Sequence, residues 1–335
     1  MRTALPGFVD LQVNGFRGVD FSGPALSADA FARACRDLLA RGTAAFLPTM
    51  ITSTLDTYRR NLPLIADAIC RAEFRGRLLG IHLEGPFISA EPGAVGVHDP
   101  SLVRPPDARL FDELQDLAGG CVRLLTIAAE LPGAADLARH AAARGVAVSL
   151  GHQMAGELEI ERLTSAGASA LTHLGNGVPN VLPRHDNPIW AGLAADGLSA
   201  MIIADGHHLP APVLKAIIRA KGVDNLIAVS DASPLAGMPP GRYRAFGEEV
   251  VLEESGRLHD PRRGCLAGSS ATLLQCVNHL AEPRFGLSLD DLLAVARRNP
   301  LRLLGIVPES IGAEPRVVFD DVSREFGGVD GRMED

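Results

Sequence analysis

Eight short apolar runs, each followed by a loop and an Ala/Leu/Arg-rich helical stretch, constrain this chain more than any other feature. The runs cover residues 7–13, 43–47, 78–83, 122–128, 146–150, 170–172, 199–204 and 226–230. They are apolar on both faces and β-branched, the pattern of strands buried in a parallel sheet. Helical patterns lie between them at 27–41, 55–74, 107–117, 134–144, 157–166 and 210–221. Such alternation argues for a parallel sheet, and eight units argue for a closed barrel. An open doubly wound sheet is the competing reading. It is weakened because no GxGxxG turn follows the first run. The expected fold class is α/β, a TIM-like (β/α)8 barrel over residues 1–310.

Residues 234–268 are rich in Gly, Pro and Arg, with a strand-like piece at 248–253. They read as an excursion after the eighth strand. Helical patterns return at 269–281, 288–298 and 300–304. The first run begins so early that no separate N-terminal domain fits before it. Residues 311–335 hold one apolar run, 316–319, and read as a frayed or loosely attached tail.

In a barrel of this kind, residues at the C-terminal strand ends line the active site. Those positions hold Gln12 and Asn14 after the first run, His82 and Glu84 after the third, and His152 after the fifth. His173 follows the sixth, Asp205, His207 and His208 the seventh, and Asp231 the eighth. Two neutral imidazoles and a carboxylate, with a position left for water, form a catalytic zinc-type ligand set. Glu84, His152 and His173 come from three different strands and are the candidate ligands. Asp231 then stands as general acid/base beside an activated water. A lone strand-end histidine is more often structural, but three ligand types at the ends of one barrel, with an Asp at the eighth, reverse that judgement. His82 points to the same side of its strand as Glu84 and reads as an orienter of the ligands. His140, His259 and His279 read as bland surface residues, while His185 and His207 stay open. No GxSxG elbow or Walker loop is present. Gly268-Ser-Ser reads as a turn and helix cap, or as a ligand contact through its hydroxyls.

The remaining composition narrows the partners. Of 335 residues, 47% are apolar and 21% charged, an ordinary globular balance with length enough for one large core. Net charge is −8, from 40 acidic against 32 basic residues, which argues against a nucleic-acid binder. The five cysteines are scattered and form no CxxC. A disulfide framework is therefore not expected, and a reducing compartment is. The N-terminus lacks the apolar core of a signal peptide, and no run of about 18 apolar residues offers a membrane span. The expectation is a cytoplasmic protein with no membrane partner.

Several segments, in order, resemble the N-acetylglucosamine-6-phosphate deacetylases of the amidohydrolase superfamily. They are Pro6-Gly-Phe-Val-Asp-Leu-Gln-Val-Asn-Gly15, His82-Leu-Glu-Gly-Pro86, Gly96-Val-His-Asp-Pro100 and Gly151-His152. Thr172-His-Leu-Gly-Asn176, Ala204-Asp-Gly-His-His208, Ser230-Asp-Ala232 and Leu266-Ala-Gly-Ser-Ser270 continue the series. The resemblance spans about residues 6–306 and implies hydrolysis of an N-acetyl group on an amino sugar. It implies that Glu84, His152 and His173 hold one divalent ion, with Asp231 moving the proton and His98 polarising the acetyl carbonyl. His208 would contact the sugar, and the backbone at Asn176 and Gly177 the phosphate end. Gln12 and Asn14 stand where many relatives carry His-x-His, which resembles a one-metal site. Zinc suits the ligands; Fe(II), Mn(II) and Co(II) also fit. A homodimer is implied as well.

Three departures qualify the resemblance. The family's small β-sandwich is absent or vestigial here, the tail being at most its remnant. The family's phosphate-binding arginine falls in a longer stretch, Pro183-Arg-His-Asp-Asn-Pro188, leaving Arg184 as the candidate. His207-His208 replaces an apolar-His pair. The alternatives are a metal-dependent amidohydrolase acting on another N-acyl or cyclic amide, and a non-catalytic sugar-phosphate sensor.

Overall fold

All eight apolar runs are strands of one parallel sheet in the computed structural model, which describes residues 2–312 and 316–328. The strands are β1 (Phe8–Val13), β2 (Thr43–Ile51), β3 (Ile81–Glu84), β4 (Val122–Ile127), β5 (Ala147–Leu150), β6 (Ala168–Leu171), β7 (Ser199–Ile203) and β8 (Leu226–Val229). They pair in sequence order. Just beyond β8, Ala232 bridges Val13, and the Asn14 amide donates to the Ala232 carbonyl at 2.8 Å, so the ring is nearly closed. Val9, Leu11, Leu47, Leu124, Met201 and Ile227 fill the barrel interior, leaving no pore.

The outer helices are α1 (Ala28–Leu39), α2 (Leu55–Cys70), α3 (Ala108–Leu117), α4 (Ala134–Ala142), α5 (Glu157–Ser165), α6 (Pro188–Ala194), α7 (Ala211–Lys221) and α8 (Leu273–Ala281). Their starts follow from side-chain caps. Ser27, Thr54, Asp107 and Asn187 each accept from backbone N–H groups two or three residues on, and Thr272 forms a capping box with Gln275. A helical stretch over Leu289–Leu293, Ala294–Arg298 and Asn299–Leu303, with a π-helical middle, seals the far end. There Arg297 donates to the Gly7 carbonyl at 2.7 Å and Asn299 to that of Leu226 at 2.7 Å.

Several boundaries differ from the sequence expectation. β2 runs past Pro48 to Ile51, because Pro48 sits at a register irregularity opposite Val13, where no ladder N–H is required. β3 starts at Ile81, since Gly80 has φ +140° and breaks the run. α6 was not expected at all. α8 begins only at Leu273, because Ser269 bridges Ala232 in an extended conformation.

The chain ends correct a further expectation. Arg2–Pro6 is a strand, antiparallel to Arg316–Asp320, which pairs in turn with Glu325–Gly328. Val317, Phe319 and Phe326 are buried, and Phe326 lies edge-on to Phe8 at 5.1 Å. Residues 316–328 are therefore packed on the barrel and not frayed. The rest of the expected tail, 313–315 and 329–335, lies outside the described residues.

The excursion after β8 folds into an antiparallel sheet of Gly241–Ala245, Glu248–Leu252, Leu258–Asp260 and Cys265–Leu266. Its small core of Leu235, Val250, Leu252 and Leu258 packs against Val97, in the loop after β3. That contact holds the sheet over the C-terminal end of the barrel. Among the described residues no helix is long and apolar enough to cross a membrane.

Candidate active site and metal centre

Glu84, His152 and His173 meet at the C-terminal end of the barrel. Glu84 Oε1 lies 3.1 Å from His152 Nε2 and 2.9 Å from His173 Nε2, and the two nitrogens are 3.0 Å apart. All three residues are buried. His152 Nδ1 is 2.7 Å from the Ala94 carbonyl. A carbonyl only accepts, so Nδ1 carries the proton and Nε2 turns a lone pair into the cluster. Burial acts to raise the Glu84 pKa, but the two histidines set against the carboxyl outweigh it and hold it well below its usual range.

The cluster fits a metal ion. Tetrahedral donors about 2.0–2.1 Å from one ion sit about 3.3 Å from each other, close to the 2.9–3.1 Å separations seen here. A carboxylate oxygen and two imidazole nitrogens this close need a cation among them or a shared proton. A His98 donor atom also lies within 4.8 Å of those of Glu84 and His152, but its hydrogen bonding points to another role. His98 Nδ1 accepts from the Thr52 amide at 3.3 Å and lies 2.9 Å from Thr52 Oγ1. Burial, then the nearby His152, pushes the His98 pKa down to about 3, so the ring is neutral. With Nδ1 accepting from Thr52, the remaining proton sits on Nε2, so in this tautomer His98 offers the cavity a donor.

Backbone conformation singles out the same positions. His152, His173 and Asp231 have φ of 50°, 32° and 50°. The left-handed region is unfavourable for residues with a Cβ, and such strain clusters at functional sites. The sharp turn directs each side chain from its strand end into the mouth of the barrel.

Hydrogen bonds from amides at the end of β1 brace the carboxylates. Gln12 Nε2 donates to Glu84 Oε1 at 2.9 Å, and Asn14 Nδ2 to Asp231 Oδ1 at 2.7 Å. Asp231 is buried, and burial followed by the negative charge of Glu84 raises its pKa to about 7. His82 does not touch the cluster; it reaches the Leu11 carbonyl at 3.1 Å and Thr126 Oγ1 at 2.8 Å. Thr126 bonds Thr172, and Thr172 bonds Ser149, a buried hydroxyl layer beneath the imidazoles. His82 is part of that floor, and burial pushes its pKa down to about 4.

A cavity of about 860 Å³ opens above the cluster, lined by Glu84, His98, His152, His173, His208 and Asp231 among others. Asn176 and Gly177 are on its wall. A Cβ on Gly177 (φ +63°) would stand 3.1 Å from both His152 Nδ1 and His173 Cε1, so only glycine lets this loop lie on the imidazoles. His208 Nδ1 lies 2.7 Å from Asp205 Oδ2, and Asp205 also accepts from the His207 and His208 amides. Burial would raise the Asp205 pKa, but these bonds prevail and hold the carboxyl well below its usual range. Arg184 is exposed and off the cavity wall. Its carbonyl accepts from Trp190 Nε1 at 3.1 Å.

Other histidines fall where the sequence placed them or find structural partners. His140 pairs with Asp112, His259 with Glu253 and His279 with Glu282. His207 Nε2 meets the Ser255 carbonyl at 2.9 Å, tying the loop after β7 to the excursion. Ser270 Oγ donates to the Gly256 carbonyl and Ser269 extends the end of β8, so both hydroxyl residues brace the fold. Thr52, Phe246 and Arg263 were missed. Phe246 and Arg263 line the cavity from the excursion, and no local spacing in the sequence signals that fold-back.

A parallel (β/α)8 barrel with a carboxylate and two imidazoles converging at its strand ends defines the class of metal-dependent barrel hydrolases. The chain belongs to the amidohydrolase family, whose model matches residues 3–310. It is 35% identical over 314 residues to an N-acetylglucosamine-6-phosphate deacetylase of Bos taurus, covering 90% of this chain and 74% of that one. It is 32% identical over 302 residues to an N-acetylgalactosamine-6-phosphate deacetylase of Escherichia coli O157:H7, covering 90% and 78%. Among solved structures, an N-acetyl-D-glucosamine-6-phosphate deacetylase from Mycobacterium smegmatis superposes with a TM-score of 0.84 at 30% identity, covering 97% of this chain and 87% of that one.

Proposed function

We propose that this chain removes the N-acetyl group of an amino sugar 6-phosphate, with N-acetylglucosamine 6-phosphate as first substrate, releasing acetate and glucosamine 6-phosphate. The observation that carries the reading is the convergence of Glu84, His152 and His173 within 3.1 Å, with Asp231 on the same cavity wall. The relatives' names supply the substrate class.

Glu84, His152 and His173 would hold one divalent ion, zinc by preference. When bound, that ion supplies Lewis acidity and lowers the pKa of water. Asp231 takes the proton of the attacking water and returns it to the leaving amine nitrogen. Burial and the Glu84 charge push its pKa up to about 7 before an ion is bound, and a cation held by Glu84 would act against that rise and favour the carboxylate that accepts the proton. Asn14 holds one carboxylate oxygen of Asp231 and leaves the other to work. The Nε2 proton of His98 is donated to the acyl oxygen, where charge accumulates in the transition state. His208, kept in one ring orientation by Asp205, contacts the sugar, and the backbone of Asn176 and Gly177 its phosphate end. Gln12 and Asn14 already bond the carboxylates that a second ion would need, which supports a one-metal site. A homodimer belongs to the proposal, with Arg184, exposed and off its own cavity wall, reaching the phosphate in a partner's cavity. A monomer by sedimentation velocity would remove that part.

The test is acetate release by zinc-loaded protein on N-acetylglucosamine 6-phosphate and on unphosphorylated N-acetylglucosamine. Turnover of the phosphorylated sugar supports the proposal. No turnover of either sugar by protein shown to contain metal would refute it.

A further inference from the structure

We propose that the excursion sheet forms the specificity wall of the cavity, with Arg263 taking the anionic end of the substrate and the Phe246 ring the apolar face of the sugar. The inference rests on the function proposed above and names two residues for which it has no role.

Among the described residues lining the cavity, Arg263 is the one Lys or Arg. The rest of the wall carries the carboxylates Glu84 and Asp231, four histidines and otherwise uncharged groups. An anionic substrate entering a single chain therefore meets one permanent cation. Arg263 is 36% exposed, and its hydrogen bonds are long, 3.4 Å to the Gly96 carbonyl and 3.4 Å to Glu248 Oε1. Glu248 is shared, since it also pairs with Arg262. Asp260 Oδ2 stands 3.7 Å from Arg263 Nε. A guanidinium has five N–H donors in a planar fork suited to phosphoryl oxygens. One long bond to the loop that carries His98 and loose contacts to Glu248 and Asp260 on its own sheet hold this fork at the rim and leave donors for a ligand.

Phe246 supplies the second observation. It sits with Gly247 in the two-residue turn between Gly241–Ala245 and Glu248–Leu252, whose last pair is Ala245 with Glu248. Both turn residues are left-handed, with φ of 54° and 78°. Turns of this shape favour Asn-Gly, and a bulky aromatic in the first position is an outlier. The ring is half-buried against the apolar cluster of the excursion and lines the cavity. A strained backbone that presents a flat apolar face at a cavity mouth points to ligand contact. Phe246 and Arg263 lie on one sheet, so both come to the substrate from the same side.

Two variants test this. Phe246→Asn suits the left-handed turn and removes the ring. Arg263→Gln keeps a polar end and removes the charge. KM for acetate release is measured with N-acetylglucosamine 6-phosphate and with N-acetylglucosamine, and Kd for glucosamine 6-phosphate by calorimetry, all on zinc-loaded protein. Arg263→Gln is expected to raise KM for the phosphorylated sugar about tenfold, and for the plain sugar less than about twofold, at a partly exposed charged contact. Phe246→Asn is expected to raise both KM values about fivefold, while Tm moves by no more than a few degrees, relief of the left-handed turn offsetting the lost ring burial. Kd for glucosamine 6-phosphate should rise in both variants. Equal KM changes for the two sugars in Arg263→Gln overturn the anion role. Wild-type turnover with KM and Kd unmoved in both variants overturns the whole inference and leaves the proposed function standing. Absence of wild-type turnover, with glucosamine 6-phosphate binding weakened in both variants, overturns the proposed function and supports the wall. Neither turnover nor binding in the wild type overturns both.

Discussion

Replacing Gly177 by alanine tests the link between the cavity loop and the metal cluster. Two costs arise at once. With φ +63° the position is left-handed, which costs a residue with a Cβ about 1–2 kcal/mol. The new methyl would also stand 3.1 Å from His152 Nδ1 and His173 Cε1, against about 3.5–4.0 Å for relaxed contact. One ring must yield by about 0.4 Å or more to reach that range. His152 is pinned by its 2.7 Å bond to the Ala94 carbonyl, whereas His173 Nδ1 has no hydrogen-bond partner among the described residues. His173 is therefore the ring expected to tilt. A displacement of that size exceeds the tolerance of about 0.2 Å in a metal–ligand bond, and should weaken metal binding about 10–100-fold. Gly145→Ala supplies the control, since Gly145 has φ +74° and nothing within 4 Å of the added Cβ. Metal content by mass spectrometry across a series of zinc buffers, and Tm with and without metal, would separate the two costs. Both variants should lose a few degrees of apo Tm; only Gly177→Ala should lose metal. Full zinc affinity in Gly177→Ala would refute the reasoning, and with it the placing of these two rings around an ion.

Other expectations follow from single contacts. Asp231→Asn should lower kcat by about 10²–10⁴ with metal content unchanged; parent-like turnover would remove Asp231 as the proton carrier. His152→Ala should lose bound metal and turnover together, and full metal occupancy would strike His152 from the ligands. Asp205→Asn should cost about 3 kcal/mol at pH 7 by breaking a buried pair. Because the folded carboxyl is held below its unfolded value, that stability is present above about pH 4 and lost as pH falls further. The gap from wild type in urea denaturation should thus be level from pH 8 to 5 and narrow only below 4; a gap that grows on acidification would contradict the assignment. Lys221 Nζ donates to the carbonyls of Ala195 and Gly192 at 2.6 and 3.2 Å, closing the C-terminal end of α6. Lys221→Met should cost about 1–3 kcal/mol, chiefly at the Gly192 carbonyl, since Ala195 keeps the Leu198 amide at 3.1 Å; an unchanged melting curve would show that another group compensates.

How much was legible depended on whether a signal was local. The eight strands were, because burial on both faces writes a short, mostly apolar run. Glu84, His152, His173 and Asp231 were legible for the same reason, each being the first polar residue beyond such a run. α6 was missed among Gly and Pro, although Asn187 as N-cap and Pro188 in the first turn are a start signal. Arg2–Pro6 carries no local sign at all: its partner, Arg316–Asp320, stands at the other end of the chain. The role of Thr52 depends on the 2.9 Å approach of His98 from 46 positions away. Phe246 and Arg263 reach the cavity only because a whole sheet folds back over the barrel, supported on Val97. Strand spacing predicts who stands at a strand end, not what an insertion lowers onto it.

The left-handed residues at the site also set a direction for decay. His152, His173 and Asp231 occupy backbone positions where glycine or asparagine would be at ease. A copy of this barrel released from catalysis, and selected only to remain folded, would find a stabilising exchange open at each of them. Loss of activity would then come as a gain in robustness, starting at three strand ends while the core stood unchanged. Here two histidines and an aspartate occupy those turns, so the strain is carried at all three strand ends.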